Sequence, residues 1–417
     1  MYRIPAIFLF LLIPAFIHAQ STITGQVVRA DNKEPIPGSS VFISNTSRGT
    51  VTGSDGRFEL HLLPVGKYEL VISSVGFETS VYTFSSEQLP LKLRVEMDVK
   101  VRELPNVTVE PSIEEGWDKW GLTFTDNFMG ATPNAANCEI RNKSKIKFRF
   151  YKKSNRVIAY CDEPLEIVNR ALGYRIKYQL EDFEVKFTER WSRFMGYVLF
   201  EDMDGDRSKV RKRWQRARDE AFYGSMMHFL RSVYAGNVDQ EGFAMRRMWR
   251  MPNTEKARVR QLYRSGLVTR SGNVEMMITL DGKKDSLPAD STRYYETVLR
   301  QPDEIEHYGP TNLTVDSILL SVSPAFKEIY FTDYLQVIYK NEKEDPAYLR
   351  YFYLSRSPAF QVSNLFLPDP TAIAIFRDGS YDPPTNVFSM GYWSWSDKIG
   401  DMLPLDYEPF APVPKLK

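Results

Sequence analysis

Thr24-Gly25-Gln26-Val27-Val28, Pro37-Gly38-Ser39-Ser40-Val41-Phe42-Ile43, Gly49-Thr50-Val51-Thr52, Ser54-Asp55-Gly56-Arg57-Phe58, Pro64-Val65-Gly66-Lys67-Tyr68 and Ser74-Val75-Gly76-Phe77 follow one another between Thr24 and Glu78. In this run Tyr68, Leu70 and Ile72 alternate with Lys67, Glu69 and Val71. Further on, Leu91, Leu93, Val95 and Met97 alternate with Lys92, Arg94, Glu96 and Asp98. A period of two gives each strand one buried and one wet face. Gly53, Gly56 and Gly66 fall between the apolar runs, where hairpins need residues that tolerate positive φ. Short strands with such punctuation predict an all-β sandwich and not βαβ units.

These turn and strand blocks resemble the carboxypeptidase regulatory-domain-like family, a transthyretin-like β-sandwich found at the start of many envelope proteins. The fold class expected is mainly β with α+β character. A seven-stranded transthyretin-like β-sandwich over 20–110 is followed by a linker at 111–116. A larger mixed domain of β-meander strands and a few helices then fills 117–417. A second resemblance, to exported proteins of unknown function that begin with the same sandwich, rests on four groups of residues. They are Asn134-Ala135-Ala136-Asn137-Cys138-Glu139-Ile140; Glu163 to Asn169 with Ala171-Leu172-Gly173-Tyr174; Tyr223-Gly224-Ser225 with His228-Phe229-Leu230; and Asp401-Met402-Leu403-Pro404-Leu405-Asp406-Tyr407. It identifies a family and no chemistry.

Ahead of the sandwich, Arg3 precedes an apolar run from Ile4 to Ile17, which is too short for the ~20 residues of a spanning helix. Ending at Ile17-His18-Ala19, it reads as a cleaved signal peptide over 1–19. No later segment is apolar enough to cross a membrane, so the expected location is the periplasm or the outer-membrane surface. TonB-dependent transporters often carry a similar sandwich, but no ladder of amphipathic barrel strands follows this one.

Locally, Lys143 to Phe150 reads as a strand with one basic face. Arg207 to Tyr234 has helical spacing and ends at Gly236, and a second helix is predicted from Asn253 or Thr254 to Ser265. Only Cys138 and Cys161 are present. The hairpin around Lys153-Ser154-Asn155 sets Cys161 opposite about residue 146, so a disulfide requires the chain to fold back near 134–142; two free thiols is the plainer reading.

No catalytic, cofactor or metal residues are assigned. His61, His228 and His307 open no H-x-x-E or H-E-x-x-H pattern, so the zinc carboxypeptidases that carry this sandwich as an appendage supply no precedent for activity. Ser225 and His228 lack a nucleophile elbow. Asp202-Met203-Asp204-Gly205-Asp206 fails the calcium-loop pattern, since Arg207 and Arg213 stand at its sixth and twelfth positions. Trp393 and Trp395 are read as sharing a strand face, either as core or as a sugar platform.

Charge is unevenly distributed. Residues 141–264 hold 29 Lys and Arg against 16 Asp and Glu, whereas residues 265–417 hold 14 against 21. Either the halves neutralise each other or the basic half offers a patch, with Lys145, Lys147, Arg211, Arg213, Arg246 and Arg247 as candidates for an anionic partner. Export argues against nucleic acid and leaves an envelope protein or glycan. The leading expectation is a non-enzymatic envelope protein acting as a structural or interaction module. Binding of carbohydrate or an anionic polymer, and a carboxylate-based hydrolase, are the alternatives.

Overall fold

A computed structural model of the chain describes residues 22–61, 66–100, 110–203, 208–271, 274–278, 284–286, 288–410 and 412. The segment 1–19 expected to be a signal peptide and the acidic positions Asp204 and Asp206 lie outside the described residues. The chain divides into two compact units, each described by itself. The first comprises Met1–Met129, Asn137–Gln215 and Leu403–Glu408; the second comprises Gly130–Ala136, Arg216–Met402 and Pro409–Lys417.

Seven strands form the sandwich at the start of the first unit. Arg57–His61, Thr22–Arg29 and Leu91–Met97 make one sheet; Gly49–Val51, Ser40–Ile43, Lys67–Ser73 and Ser80–Ser85 make the other. Thr22–Arg29 runs parallel to Leu91–Met97 and antiparallel to Arg57–His61. Between the sheets lie Ile23, Val27, Val41, Ile43, Tyr68, Leu70, Ile72 and Phe84, all buried. Each side chain of this size contributes roughly 1.5–3 kcal/mol by leaving water.

The alternation fails at one position. Val71, expected on the wet face, is fully buried with Phe42 against Leu199. The four-stranded sheet is covered on its outer side by strand Trp191–Asp202, with Asn45 N–H donating to Val198 O at 2.7 Å and Phe200 N–H to Thr46 O at 3.0 Å. A sheet buried on both faces loses the period of two.

The same unit holds a seven-stranded antiparallel sheet built on Tyr174–Lys186, which pairs along its length with Trp191–Asp202. Helix α1 (Trp117–Phe128) contributes an aromatic core in which Phe124 stacks on Phe128 and meets Phe183 at 4.6 Å between ring centroids. Two expectations are corrected here. The stretch read as a linker contains strand Ser112–Glu115, which pairs with Lys147–Tyr151. The basic strand begins only at Lys147, because Lys143–Lys145 is a 3-10 turn. Cys138 and Cys161 are both free thiols.

Where one helix was expected there are two, α2 (Ser208–Phe222) and α3 (Met226–Ala235). In the first unit Trp214 of α2 packs on Gly173, where a Cβ would come within 2.2 Å of the indole, and donates to Arg170 O at 3.1 Å. Gly224, at φ +81°, breaks the run, and Ser225 caps α3 by accepting from His228 N–H. A left-handed residue cannot continue an α-helix, and a serine N-cap restarts it.

In the second unit, a five-stranded antiparallel sheet has the order Glu304–Tyr308, Phe243–Pro252, Tyr334–Lys343, Phe360–Phe366, Phe388–Gly391. Helix α4 (Thr254–Arg264) starts at the predicted cap, Asn253 accepting from Lys256 N–H. It is followed by α5 (Ala289–Arg300), α6 (Pro346–Tyr351) and α7 (Tyr392–Ser396). Trp393 and Trp395 thus sit on a short helix and not on a strand, and both are buried. Trp393 Nε1 donates to Gly224 O at 2.6 Å.

Candidate functional site

The second unit contains a cleft of about 360 Å³ whose wall includes Glu220, Glu342, Glu344, Asp345, Asp397 and Asp401, with Lys343 as its cation. A 190 Å³ cavity in the first unit, between Ser40, Gly49 and Lys177, has no comparable set of ionisable groups.

Local irregularities of the fold bring these acids together. Register between Tyr334–Lys343 and Phe360–Phe366 shifts between Tyr339 and Lys343, and Glu342 lies in that irregular stretch. Bulges of this kind re-aim side chains beside sites. Gly224 allows the turn between α2 and α3 to approach the sheet, since a Cβ there would meet Gln361 Oε1 at 2.6 Å and the Tyr339 ring at 2.8 Å. Behind that turn His228 is a packing post: its Nδ1 accepts from Gly224 N–H and its Nε2 lies 2.9 Å from Glu241. Burial lowers the His228 pKa, although the Glu241 contact opposes it.

The six acids are held differently. Glu344 is gripped by the Arg356 guanidinium at 2.5 and 2.7 Å and by Ala359 N–H at 2.9 Å. Burial pushes its carboxyl up, but these donors outweigh it and leave the pKa below the ordinary value. Asp345 caps α6 through Ala347 N–H. Asp397 accepts from Met226 N–H at 2.7 Å and Ser396 Oγ at 2.8 Å, yet burial raises it to about 7, with Asp401 adding to the rise. Asp401 accepts from Thr132 Oγ and from Asn134 Nδ2 at 2.7 Å, and burial still raises it to about 6. Glu342 receives Gln361 Nε2 at 3.2 Å and is raised by burial and by Glu220 to about 7. Desolvation disfavours the charged form, and nearby carboxylates compound it.

Aromatic residues complete the wall. Tyr223, pushed up to about 12 by burial, stays a neutral phenol, and Tyr392 packs at a tilt in a cluster with Tyr348 and Trp395. Trp395 is 4% exposed, and its Nε1–H has no hydrogen-bond acceptor. A buried donor left unmet costs about 1–3 kcal/mol, a local cost carried by the packing of this helix.

The residues singled out from sequence lie elsewhere. Lys145 pairs with Glu163 at 3.0 Å, and Lys147 with Asp162 at 3.5 Å. Arg247 pairs with Asp333 at 2.5 Å; Arg246 donates to Gln336 at 2.7 Å and lies over Tyr308. Arg211 and Arg213 are exposed on α2. Four of the six belong to the first unit and two to the second. None of them lines the acid cleft, which sequence reasoning did not single out. Its signal was present in blocks quoted for resemblance alone, because Asn134, Tyr223-Gly224-Ser225 and Asp401 all meet there.

No group of three or more His, Cys, Asp or Glu among the described residues is arranged to hold a metal ion. No helix among them is long and apolar enough to cross a membrane.

Comparison with known proteins places the N-terminal part. A family model described as CarboxypepD_reg-like domain matches residues 23–109. The described strands of that segment form the sandwich. The chain is 37% identical over 101 residues to TonB-dependent receptor P39 of Formosa agariphila, a match covering 23% of this chain and 9% of the receptor's length. Among solved structures, a DUF3823 family protein from Bacteroides uniformis aligns at 10% identity and TM-score 0.14 over 82% of this chain and 96% of its own. A cohesin–dockerin complex from Acetivibrio cellulolyticus aligns at 25% identity and TM-score 0.17 over 19% of this chain and 57% of that one.

Proposed function

We propose that this is a non-enzymatic, exported binding protein of the cell envelope, in which the sandwich is a shared scaffold and the second unit holds a saccharide in its cleft. The observation carrying this reading is the cleft itself, of the size used for small ligands, with carboxylates and amides as hydroxyl partners and with tyrosine and tryptophan in its wall. The envelope context is supported by the receptor relative that shares the sandwich. Relative to the sequence-based expectation, the ligand's charge changes: an acid-lined wall repels an anionic polymer, and three of the six basic residues proposed for one already face acids.

The test is isothermal titration of the full chain against a panel of neutral, amine-bearing and acidic oligosaccharides. Binding of neutral or amine-bearing members, weakened by substitution of the exposed lining residue Glu220→Gln, is the expected result. Failure of every saccharide to bind would sink the reading.

A second reading is a carboxylate-based hydrolase, favoured by Glu342 and Asp397 both standing at about 7, the range of a general acid or base. Release of reducing ends that stops in both Glu342→Gln and Asp397→Asn would establish it in place of the first.

A further inference from the structure

We propose that the free edge of the sandwich strand Ser80–Ser85 is a docking surface for a second copy of this chain, the two strands pairing antiparallel about a two-fold axis at Tyr82. The surface belongs to the first unit and does not depend on the saccharide-binding reading.

The strand lies at the end of the four-stranded sheet and pairs on one side only, in unbroken register from Lys67–Ser85 to Ile72–Ser80. Ser86 N–H donates to Gly66 O at 2.9 Å, one step beyond the Lys67–Ser85 pair. Hydrogen-bonded and open pairs alternate along an antiparallel ladder, so Val81, Thr83 and Ser85 turn their N–H and C=O groups away from the sheet. Ser85 N–H is met by Gln88 Oε1 at 2.8 Å, as that alternation requires. Among the described residues, no hydrogen bond meets the outward groups of Val81 or Thr83. Water meets such groups on an ordinary edge, whereas an extended backbone meets them in register.

This edge lacks the usual protection. Other edge strands carry charges at alternate positions: Arg57 and Glu59 on one, Lys92, Arg94 and Glu96 on another, Glu304 and Glu306 on a third. Such charges block edge-to-edge pairing. Ser80–Ser85 has six residues and no charge, while the other uncharged edge strands described, Gly49–Val51, Leu319–Val322 and Phe388–Gly391, have three or four. Its Val, Tyr, Thr and Phe are strong strand formers. Exposed apolar side chains gather there too. Of the five large ones among the described residues of the sandwich, Val81 and Tyr82 are on the strand, Val75 is in the connection leading into it, and Val99 pairs with Phe77 of that connection; Val51 alone lies elsewhere.

A charged edge selects a partner of opposite charge, whereas an uncharged one complements itself, as an isologous contact demands. Pairing about Tyr82 sets Val81 opposite Thr83 of the second copy, in hydrogen-bonded positions, and Tyr82 opposite its own counterpart, so exposed residues meet exposed ones. Centring on Thr83 would set Tyr82 against the buried Phe84 instead. Because Lys67–Ser73 occupies the other side of the strand, pairing closes at two copies. One strand pair covers less than the roughly 800 Å² per partner of a standard interface, so the association is weak and reversible.

The experiment is sedimentation velocity of the full chain over a concentration series up to about 100 μM. Val81→Lys, Thr83→Pro and Thr83→Val are compared at the same concentrations, each checked by its melting curve. Expected is a monomer–dimer equilibrium whose dissociation constant rises at least about tenfold in Val81→Lys, which puts a charge on the edge, and in Thr83→Pro, which removes an outward N–H and spares the ladder to Lys67–Ser73. Thr83→Val keeps that N–H and is expected to dimerise as the wild type does. Val81 is 36% exposed, so Val81→Lys carries the test where Thr83→Pro fails to fold. A chain that stays monomeric throughout the series overturns the proposal, whether or not it captures some other protein. A dimer that Val81→Lys leaves unaltered, or a higher assembly in place of a dimer, overturns it as well.

Discussion

The sandwich and the acid cleft are built on opposite rules. The interior between the two sandwich sheets is aliphatic and aromatic, from Ile23 to Phe84, and its carboxylates stay in solvent beside cations, as Asp31 does with Arg29 and Glu96 with Lys33. In the second unit His228, Asn253, Lys256, Gln336, Glu344 and Asn386 are all buried. A dry core of repeating pattern needs only size and polarity to be right. A polar core needs each donor matched to an acceptor, and what is left unmatched becomes either a liability or a site.

Glycine substitutions are the hardest way to break this comparison. Gly224→Ala adds a Cβ against Gln361 and Tyr339 at a left-handed φ, combining backbone strain with overpacking, and is expected to cost roughly 3–5 kcal/mol. Gly38→Ala in the sandwich has φ +74° but nothing within 4 Å, so strain alone remains, about 1–2 kcal/mol. Urea unfolding of both variants measures the gap, and equal losses would show that the cleft turn is no tighter than a surface turn.

Ion pairs give the next largest contrast. Arg356→Ala leaves Glu344, whose side chain is 5% exposed, with only the Ala359 amide, at an expected cost of about 2–3 kcal/mol. Lys33→Ala removes the exposed Glu96 partner for less than about 1 kcal/mol.

Acidity sharpens the contrast by changing its sign. Asp31, held down to about 2 by Arg29, and Glu96, lowered by Lys33, contribute stability that is present above their unfolded pKa and lost as pH falls through the folded one. Asp397 and Glu342 at about 7 and Asp401 at about 6 do the reverse. Between roughly pH 4 and 7 the folded state binds more protons than the unfolded, so their contribution declines as pH rises through that window. Asp397→Asn is therefore expected to stabilise the protein by on the order of 1–2 kcal/mol above pH 7, and to give no gain near about pH 2–3, where both states are protonated. Denaturant melts across the window check it.

These contrasts also explain what was legible in the sequence. Strand and turn in the sandwich are local properties, and so is the Asn253 cap of α4; both were read correctly. Val71 was misplaced because its cover, Leu199, lies 128 residues away and no periodicity announces it. The break at Gly224 was hidden by helical spacing on either side. The cleft was missed for the same reason on a larger scale: Asn134, Ser225, Glu342 and Asp401 come from four distant stretches, and only the sheet's irregular register and the α2–α3 turn bring them together. Their blocks were visible as words but not as a site. Basic residues drew attention instead because a charge count sums over sequence and takes no account of pairing.

Those basic residues supply the smallest expected effect. Lys145, Lys147 and Arg247 are each about half exposed and face Glu163, Asp162 and Asp333. Exposed pairs of this kind contribute about 0–1 kcal/mol, because solvent screens them and ordering two long side chains offsets the attraction. Reversing Arg213, Lys147 or Arg247 to Glu should therefore shift unfolding by less than about 1 kcal/mol each. It should also leave saccharide titrations unchanged, since none of these residues reaches the cleft wall. Little retention of the wild-type protein on a sulfated polyanion column is expected at physiological salt, because three of the six basic side chains already face a carboxylate at 2.5–3.5 Å and salt screens the rest. Firm retention that is lost on reversing Arg211, Arg213 and Arg247 together would restore the basic surface as a binding face and make the cleft secondary to it.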